Sequence, residues 1–248
     1  MRILLIVSYD GSNYYGWQRQ KSFVSVQEKL EEALSTLYKR EITVRGSSRT
    51  DAGVHALMQG AVFETENTIP MEKLPYAVNS FLPMDIVVTK AYQVDEEFHP
   101  QYSVIDKTYH YKILNADFRI PMLHKYTEFV HYRLDVEKMQ QACKYFVGEH
   151  NFKAFCAAGS DAKTTVRIIY SLNVEKKDNI ITISVCGNGF LYNMVRIIAG
   201  TLVYVGLGKL KPEEIEDIIL SENRARAGKT LSPNGLTLME VNYEKINR

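Results

Sequence analysis

A 19-residue apolar run, "FLYNMVRIIAGTLVYVGLG" at residues 190–208, limits the folds open to this chain more than any other stretch. It has about the length of a bilayer span. Arg196 lies within it, and an arginine at the centre of a membrane helix costs about 2.5 to 3.5 kcal/mol, with Asn193 adding to this cost. The run therefore predicts a buried helix of a soluble protein. Because a guanidinium among apolar neighbours needs an anion or a water-filled cleft, Arg196 is expected to face one.

The composition is that of a folded globular chain with no strong overall charge. With 30 basic and 29 acidic residues, no global field attracts a polyanion, so any contact with a nucleic acid has to be local. The three cysteines, Cys143, Cys156 and Cys186, form no CxxC pair and suit a reducing compartment better than a disulfide framework. The N-terminal run "MRILLIVSYDG" is short and ends in turn residues, unlike a signal peptide. We therefore expect a cytoplasmic location.

Strand and helix patterns alternate along the chain and predict an α+β fold. Strand patterns occupy 3–9, 41–47, 56–65, 85–92, 108–114, 236–243 and a hairpin at 166–187 that turns near 177–179. Helix patterns besides the apolar run occupy 25–38, 70–82, 135–148 and 211–221. Ser25 is a candidate N-cap, whereas Pro75 weakens the second helix pattern. We predict two similar halves, 1–105 and 106–248, with mixed, mainly antiparallel sheets, helices packed on the sheet and a central cleft between the halves as the binding site.

The stretch "SSRTDAGVHA" at 47–56 concentrates charged residues in a tight connection between strand patterns. Asp51 beside Gly53 is compatible with a simple Asx-type turn. Arg49, two residues earlier, would favour the ionised carboxylate, and Asp51 would then serve as a nucleophile or a base. His55 invites a metal interpretation, but no third ligand stands at a familiar spacing, so no metal site is expected.

Tyr109 and Arg196 become candidate site residues only when they are considered together with Asp51. Tyr109 shares a strand face with Tyr111 and Ile113, a pattern typical of a core aromatic. Arg196, considered alone, is compatible with a structural ion pair. The sequence contains no GxSxG elbow, no Walker motif and no GxGxxG between a strand and a helix. Any chemistry therefore rests on carboxylate, arginine and tyrosine side chains.

Five stretches resemble, in chain order, motifs of the tRNA pseudouridine synthase A family. They are "YDGSNYYGWQRQ" with "SVQEKLEEAL" (9–20 and 25–34), "RTDAGVHA" (49–56), "KTYHY" (107–111), "FLYNMVRIIAG" (190–200) and "GLTLMEVNY" (235–243). The second stretch resembles the catalytic signature of that family. The resemblance covers nearly the whole chain.

The resemblance implies the pseudouridine synthase fold and isomerisation of uridine to pseudouridine in the tRNA anticodon stem-loop, at positions 38 to 40. It implies that Asp51 is the catalytic aspartate, that Arg49 occupies the space of the flipped nucleotide, that Tyr109 stacks on the target base and that Arg196 pairs with the aspartate. No metal and no small-molecule cofactor are implied. The expected partners are tRNA and a second copy of the chain in a homodimer, with no membrane.

Near-neutral charge is compatible with RNA binding if basic residues form a local strip. The candidate residues are Arg19, Lys21, Lys39, Arg40, Arg45, Lys107 and Arg167. One departure from the family pattern, "FHPQYS" at 98–103, replaces a basic residue by Gln101 and adds Pro100, which leaves open the exact uridine. The alternatives are a paralogue that modifies a different uridine, a non-catalytic RNA-binding relative, and a metal-dependent hydrolase that uses Asp51 and His55.

Overall fold

A computed structural model describes residues 1–66 and 68–244 of the chain. The strands are β1 Arg2–Tyr9, β2 Arg45–Gly46, β3 His55–Glu64, β4 Ile86–Val94, β5 Val104–Asn115, β6 Glu128–Val130, β7 Gly148–Asn151, β8 Val166–Lys177, β9 Ile180–Gly187 and β10 Leu236–Tyr243. The helices are α1 Val26–Tyr38, α2 Leu74–Asn79, α3 Val136–Cys143, α4 Met194–Gly206 and α5 Glu214–Ser221. Antiparallel pairs predominate and two pairs are parallel, which confirms the predicted α+β class with mixed, mainly antiparallel strands.

The chain divides into two compact units, Met1–Ile105 with Thr237 onward, and Asp106–Leu236. The division into halves 1–105 and 106–248 stays a prediction. The strand β10 lies with the first unit. There it pairs in parallel with the start of β3, Thr237 with His55 and Leu238 with Ala56.

In the first unit the strand order is β4-β1-β3-β10, with β2 on β3. Residues 3–7 of β1 are buried, as the apolar run predicts, and β1 is a central strand that pairs with β3 on one edge and β4 on the other. The predicted N-cap of α1 is confirmed, since the hydroxyl of Ser25 accepts a hydrogen bond from the backbone N–H of Glu28. Pro75 lies in the first turn of α2, where a proline is tolerated because its missing N–H would have no helical partner.

The strand predicted at 41–47 is wrong over most of its length, because only Arg45–Gly46 is a strand. Side chains of α1 take the backbone donors that a strand would use. The hydroxyl of Ser35 accepts from Ile42 N at 2.9 Å, and the carboxylate of Glu31 accepts from Val44 N at 3.0 Å. This segment is therefore fastened to the helix instead of extending β2.

In the second unit the strand order is β5-β9-β8-β7, with β6 parallel to β5. The predicted hairpin at 166–187 is confirmed as β8 and β9, and its turn contains Asp178 at a left-handed φ of 54°. The apolar run is confirmed as a buried helix, α4, which begins only at Met194 because Asn193 has a left-handed φ of 60°. Within 1–66 and 68–244, no helix is both long and apolar enough to span a membrane.

Candidate active site

Asp51 lies on the loop between β2 and β3. Hydrogen bonds with residues 9–17, which we call the N-terminal segment, hold the backbone of this loop. Trp17 N donates to Thr50 O at 3.0 Å, and Gly53 N donates to Tyr14 O at 3.2 Å. Gly53 has a φ of +80°, and Val54 N donates back to Asp51 O at 3.1 Å, which closes a turn around Asp51. The carboxylate is therefore presented from a backbone fixed on both sides, and it is partly exposed.

Side chains of the same segment also hold the loop in place through hydrogen bonds. The hydroxyls of Tyr9 and Thr50 lie 2.7 Å apart in a buried hydrogen bond. The Tyr14 hydroxyl donates to the carboxylate of Asp85 at 2.5 Å, and burial together with this carboxylate raises the pKa of Tyr14. Tyr14 therefore stays protonated and keeps donating, so the segment that carries the loop remains fixed.

Two glycines allow the N-terminal segment to approach the loop closely, and together they form what we call the glycine cradle, Gly11 and Gly16. A Cβ at Gly11 would lie 2.0 Å from Val54 O. A Cβ at Gly16, which has a φ of +87°, would lie 2.4 Å from Thr50 O. Sequence reasoning named neither glycine as a site residue, although both lie in the "YDGSNYYGWQRQ" stretch. The position of Asp51 thus depends on residues about forty positions earlier in the chain.

Gly16→Ala is expected to lower the free energy of unfolding by about 1 to 3 kcal/mol, because the methyl group meets Thr50 O in a backbone conformation that alanine rarely adopts. It should also slow turnover, since relief of the clash moves the backbone that carries Asp51. Gly159→Ala is the matched control, because Gly159 has a φ of +82° with no atom within 4 Å of its Cβ position. Denaturant unfolding of both variants measures the difference. Equal losses of unfolding free energy in Gly16→Ala and Gly159→Ala would show that the contact between Gly16 and Thr50 O leaves room for a methyl group.

His55 is an anchor of the N-terminal segment. Its ring is buried, 5% exposed, and its Nδ1 accepts from Gly11 N at 3.1 Å and lies 3.2 Å from the carboxylate of Asp10. Among the residues that the structure describes, no group of three or more histidine, cysteine, aspartate or glutamate side chains is placed to hold a metal ion. His55 therefore helps to position the loop that follows β2.

Tyr109 lies in β5 of the second unit and is 8% exposed. Its ring meets Phe190 edge-on, with ring centroids 5.2 Å apart. Tyr111, two residues on, is fully buried and donates to Ser232 O at 2.8 Å, and burial and the nearby Glu128 raise its pKa. Both tyrosines therefore share a packed sheet face, and Tyr109 is the one at its less buried end.

Arg196 lies in the first turn of α4, and neutral oxygens orient its guanidinium. Its Nε donates to Leu231 O at 2.8 Å, and Nη1 donates to Asn193 Oδ1 at 2.6 Å. The guanidinium is partly exposed. A guanidinium has five N–H groups, and these two bonds use two of them to fix its orientation. Since Asp51 belongs to the first unit and Arg196 to the second, their pairing stays a prediction, as does the central cleft.

The remaining candidates are distributed over both units. Arg49 is exposed two residues before Asp51, where its charge is available to a substrate. Arg19 pairs with Glu31 at 2.9 Å, and Arg40 donates to Glu64 O at 3.1 Å, so both are partly occupied within the first unit. Two members of the predicted basic strip, Lys107 and Arg167, interact with each other in the second unit.

Comparison with known proteins assigns the family. A family model described as tRNA pseudouridine synthase matches residues 5–103 and 142–244, which include Arg49, Asp51 and Arg196, whereas Tyr109 lies between the two matched stretches. tRNA pseudouridine synthase A of Thermoanaerobacter sp. (strain X514) is 49% identical over 241 residues, 97% of this chain and 99% of that protein. The protein of the same name from Caldicellulosiruptor bescii is 48% identical with the same coverage, and tRNA pseudouridine synthase A 2 of Clostridium tetani is 47% identical over 97% of this chain and 98% of its own length. The resemblance drawn from the sequence motifs is thereby confirmed, and the chain belongs to the tRNA pseudouridine synthase family.

Proposed function

We propose that this isomerase converts uridine to pseudouridine in the anticodon stem-loop of tRNA, at positions 38 to 40, with Asp51 as the nucleophile. Membership of the family supports the reaction and the tRNA substrate. The observation that carries the assignment of Asp51 is its presentation on a turn held by backbone hydrogen bonds and by the glycine cradle. A nucleophile has to be fixed relative to its target, and a rigid turn provides this.

The reaction needs no added atoms. The Asp51 carboxylate attacks the uridine and forms a bond to it, the N1–C1′ bond breaks, and the base rotates so that C5 bonds to C1′. The bond to Asp51 then breaks and restores the carboxylate. The C5 proton leaves and N1 gains a proton. A base inside a stem first has to flip out, at a cost of a few kcal/mol. Stacking on the Tyr109 ring would return about 1 to 3 kcal/mol of this cost, and its hydroxyl is a candidate acceptor of the C5 proton.

The two arginines act on the substrate and on the nucleophile. Exposed Arg49 fills the space that the flipped nucleotide leaves and contacts the RNA backbone. Arg196 pairs with Asp51 and keeps the carboxylate ionised, as a nucleophile requires. The hydrogen bonds from Arg196 to Leu231 O and Asn193 Oδ1 support this role, because they fix the guanidinium before substrate binds. Neither a metal nor a small-molecule cofactor takes part, and the homodimer and the cytoplasmic location stay predictions.

Arg196→Met is expected to lower the single-turnover rate by about 10²-fold, since it removes the cation and keeps the apolar stem. Without the cation the carboxylate binds a proton more readily, so the acidic limb of the pH–rate profile should move to higher pH. Arg196→Lys should restore part of the charge effect, but the lysine ammonium cannot reproduce the planar, oriented N–H donors of the guanidinium. A rate loss without any movement of the acidic limb would assign Arg196 a structural role.

The deciding experiment incubates the protein with unmodified tRNA transcripts and maps pseudouridine by position. Product at positions 38 to 40 supports the full proposal, whereas product at another uridine identifies a paralogue, in which the "FHPQYS" stretch at 98–103 would be the first place to examine. Tight binding with no product in any transcript would identify a non-catalytic RNA-binding relative. Hydrolysis of the transcript that a chelator abolishes, without any pseudouridine, would favour the metal-dependent hydrolase.

A further inference from the structure

The strand register of the second unit places two cations on one sheet face. On β5, Lys107 lies directly opposite Gly187 of β9, and Gly187 lies opposite Ile169 of β8. Residues directly opposite in antiparallel strands share a face, as do alternate residues along one strand. Tyr109 therefore shares this face with Lys107, and Arg167, two residues before Ile169 and ahead of the β8 irregularity, shares it too.

Two glycines, Gly187 and Gly189, allow close packing next to these cations. A Cβ at Gly187 would lie 2.6 Å from Ile168 O and 3.4 Å from the Phe190 ring. The same Phe190 ring packs edge-on against Tyr109, and a Cβ at Gly189 would lie 3.7 Å from Arg167 Nε. The Tyr109 ring, the Phe190 ring and the Arg167 guanidinium are thus gathered around a backbone that carries no side chain.

The two charges influence each other because both are partly removed from water. Burial and the charge of Arg167 lower the pKa of Lys107 to about 8. The Arg167 guanidinium is fixed in place, since Nη1 donates to Thr164 O at 2.9 Å and to Val166 O at 2.6 Å. Two cations that repel each other on a half-buried face are stabilised by an anion that contacts both. A lysine supplies a compact point charge and an arginine a planar fork, a combination suited to a phosphate.

We propose that Lys107 and Arg167 form a binding site for a backbone phosphate of the RNA, next to the nucleotide whose base stacks on Tyr109. This inference rests on the proposed function, because the phosphodiester is the anion that a flipped nucleotide brings with it. The pair would hold the flipped nucleotide by its backbone while Tyr109 holds the base. Lys107 and Arg167 are thus positioning residues that favour the flipped state and carry no sequence information.

The first test measures tRNA affinity against salt concentration in an Asp51→Asn background, where no product forms. Lys107→Met should weaken binding about tenfold and reduce the slope of log affinity against log salt by about 1, since one phosphate contact is lost. Lys107→Arg should keep the wild-type slope. Lys112→Met is the matched control, because Lys112 lies on the same strand with its side chain exposed, and it should change neither quantity. An unchanged slope in Lys107→Met would overturn the inference.

The second test locates the phosphate. An anticodon stem-loop with one neutral methylphosphonate beside the target uridine should bind the wild-type protein about tenfold more weakly than the unmodified stem-loop. In Lys107→Met the same methylphosphonate should cost less, because only the Arg167 contact is left to lose. If the loss of affinity caused by the methylphosphonate and the loss caused by Lys107→Met simply add, Lys107 contacts another group. The phosphate site can fail while the proposed function holds. If the wild-type protein forms pseudouridine and Lys107→Met binds tRNA as the wild type does, only the phosphate site is refuted.

Discussion

Asp51→Asn is expected to fold and to bind tRNA as the wild type does, and to form no detectable pseudouridine. The substitution keeps the size of the side chain and its capacity to hydrogen-bond, but removes the negative charge that makes the carboxylate a nucleophile. The turn around Asp51 is held by backbone atoms, Val54 N to Asp51 O and Trp17 N to Thr50 O, so it does not depend on that charge. Position-resolved pseudouridine mapping after long incubation measures the result.

Two controls make this prediction decisive. Asp95→Asn changes an exposed carboxylate of the same unit and should leave activity unchanged. Asp51→Ala should be as inactive as Asp51→Asn, and it excludes activity regained through deamidation of the asparagine. Pseudouridine formed by Asp51→Ala at a rate near that of the wild type would remove Asp51 from the nucleophile role.

Tyr109 is expected to show a large effect that separates stacking from proton transfer. Tyr109→Phe keeps the ring and its contact with Phe190 but deletes the hydroxyl, whereas Tyr109→Leu removes both. If the hydroxyl accepts or relays the C5 proton, Phe should lower the single-turnover rate by about 10² to 10⁴-fold with little change in affinity. If the ring mainly supports the flipped base, Phe should keep most activity, and Leu should weaken binding of the flipped state by about 1 to 3 kcal/mol.

Release of tritium from C5-labelled tRNA reports the proton step directly and decides between these outcomes. Tyr111→Phe is an informative companion, because Tyr111 is fully buried and bonds to Ser232 O. It should reduce stability without a specific loss in tritium release. Near-normal rates in both Tyr109 variants would show that this residue is a core aromatic, the alternative that its strand pattern leaves open.

Much of the fold follows from local sequence patterns. The buried run of β1, the Ser25 cap of α1 and the β8–β9 hairpin all correspond to short-range signals that the structure confirms. The segment 41–47 does not, because Ser35 and Glu31 of α1 take its backbone donors. Competition for donors by distant side chains leaves no local pattern. The placement of β10 beside β3 is equally non-local.

Some residues of the candidate site can likewise be predicted from the sequence, whereas others are recognised only in the structure. Asp51 and Arg49 stand out in sequence because "RTDAGVHA" at 49–56 resembles the catalytic signature of the family. The glycine cradle does not stand out, since the approach of Gly11 to Val54 O exists only after β1 and β3 pair. Lys107 and Arg167 look like separate solvated charges until the register of β5, β9 and β8 places them on one face.

The parallel pairing of β10 with β3 makes the surroundings of Asp51 dependent on a strand that is synthesised much later than β3. Thr237 and Leu238 lie beside His55 and Ala56, which directly follow the loop of Asp51. During synthesis the strands β1 and β3 emerge first, while one edge of β3 waits for a partner that lies far later in the chain. A nascent chain, or a product truncated before Thr237, therefore carries every residue around Asp51 but lacks the strand that completes its support. Translation therefore has to reach Thr237 and Leu238 before the loop that carries Asp51 has its full support.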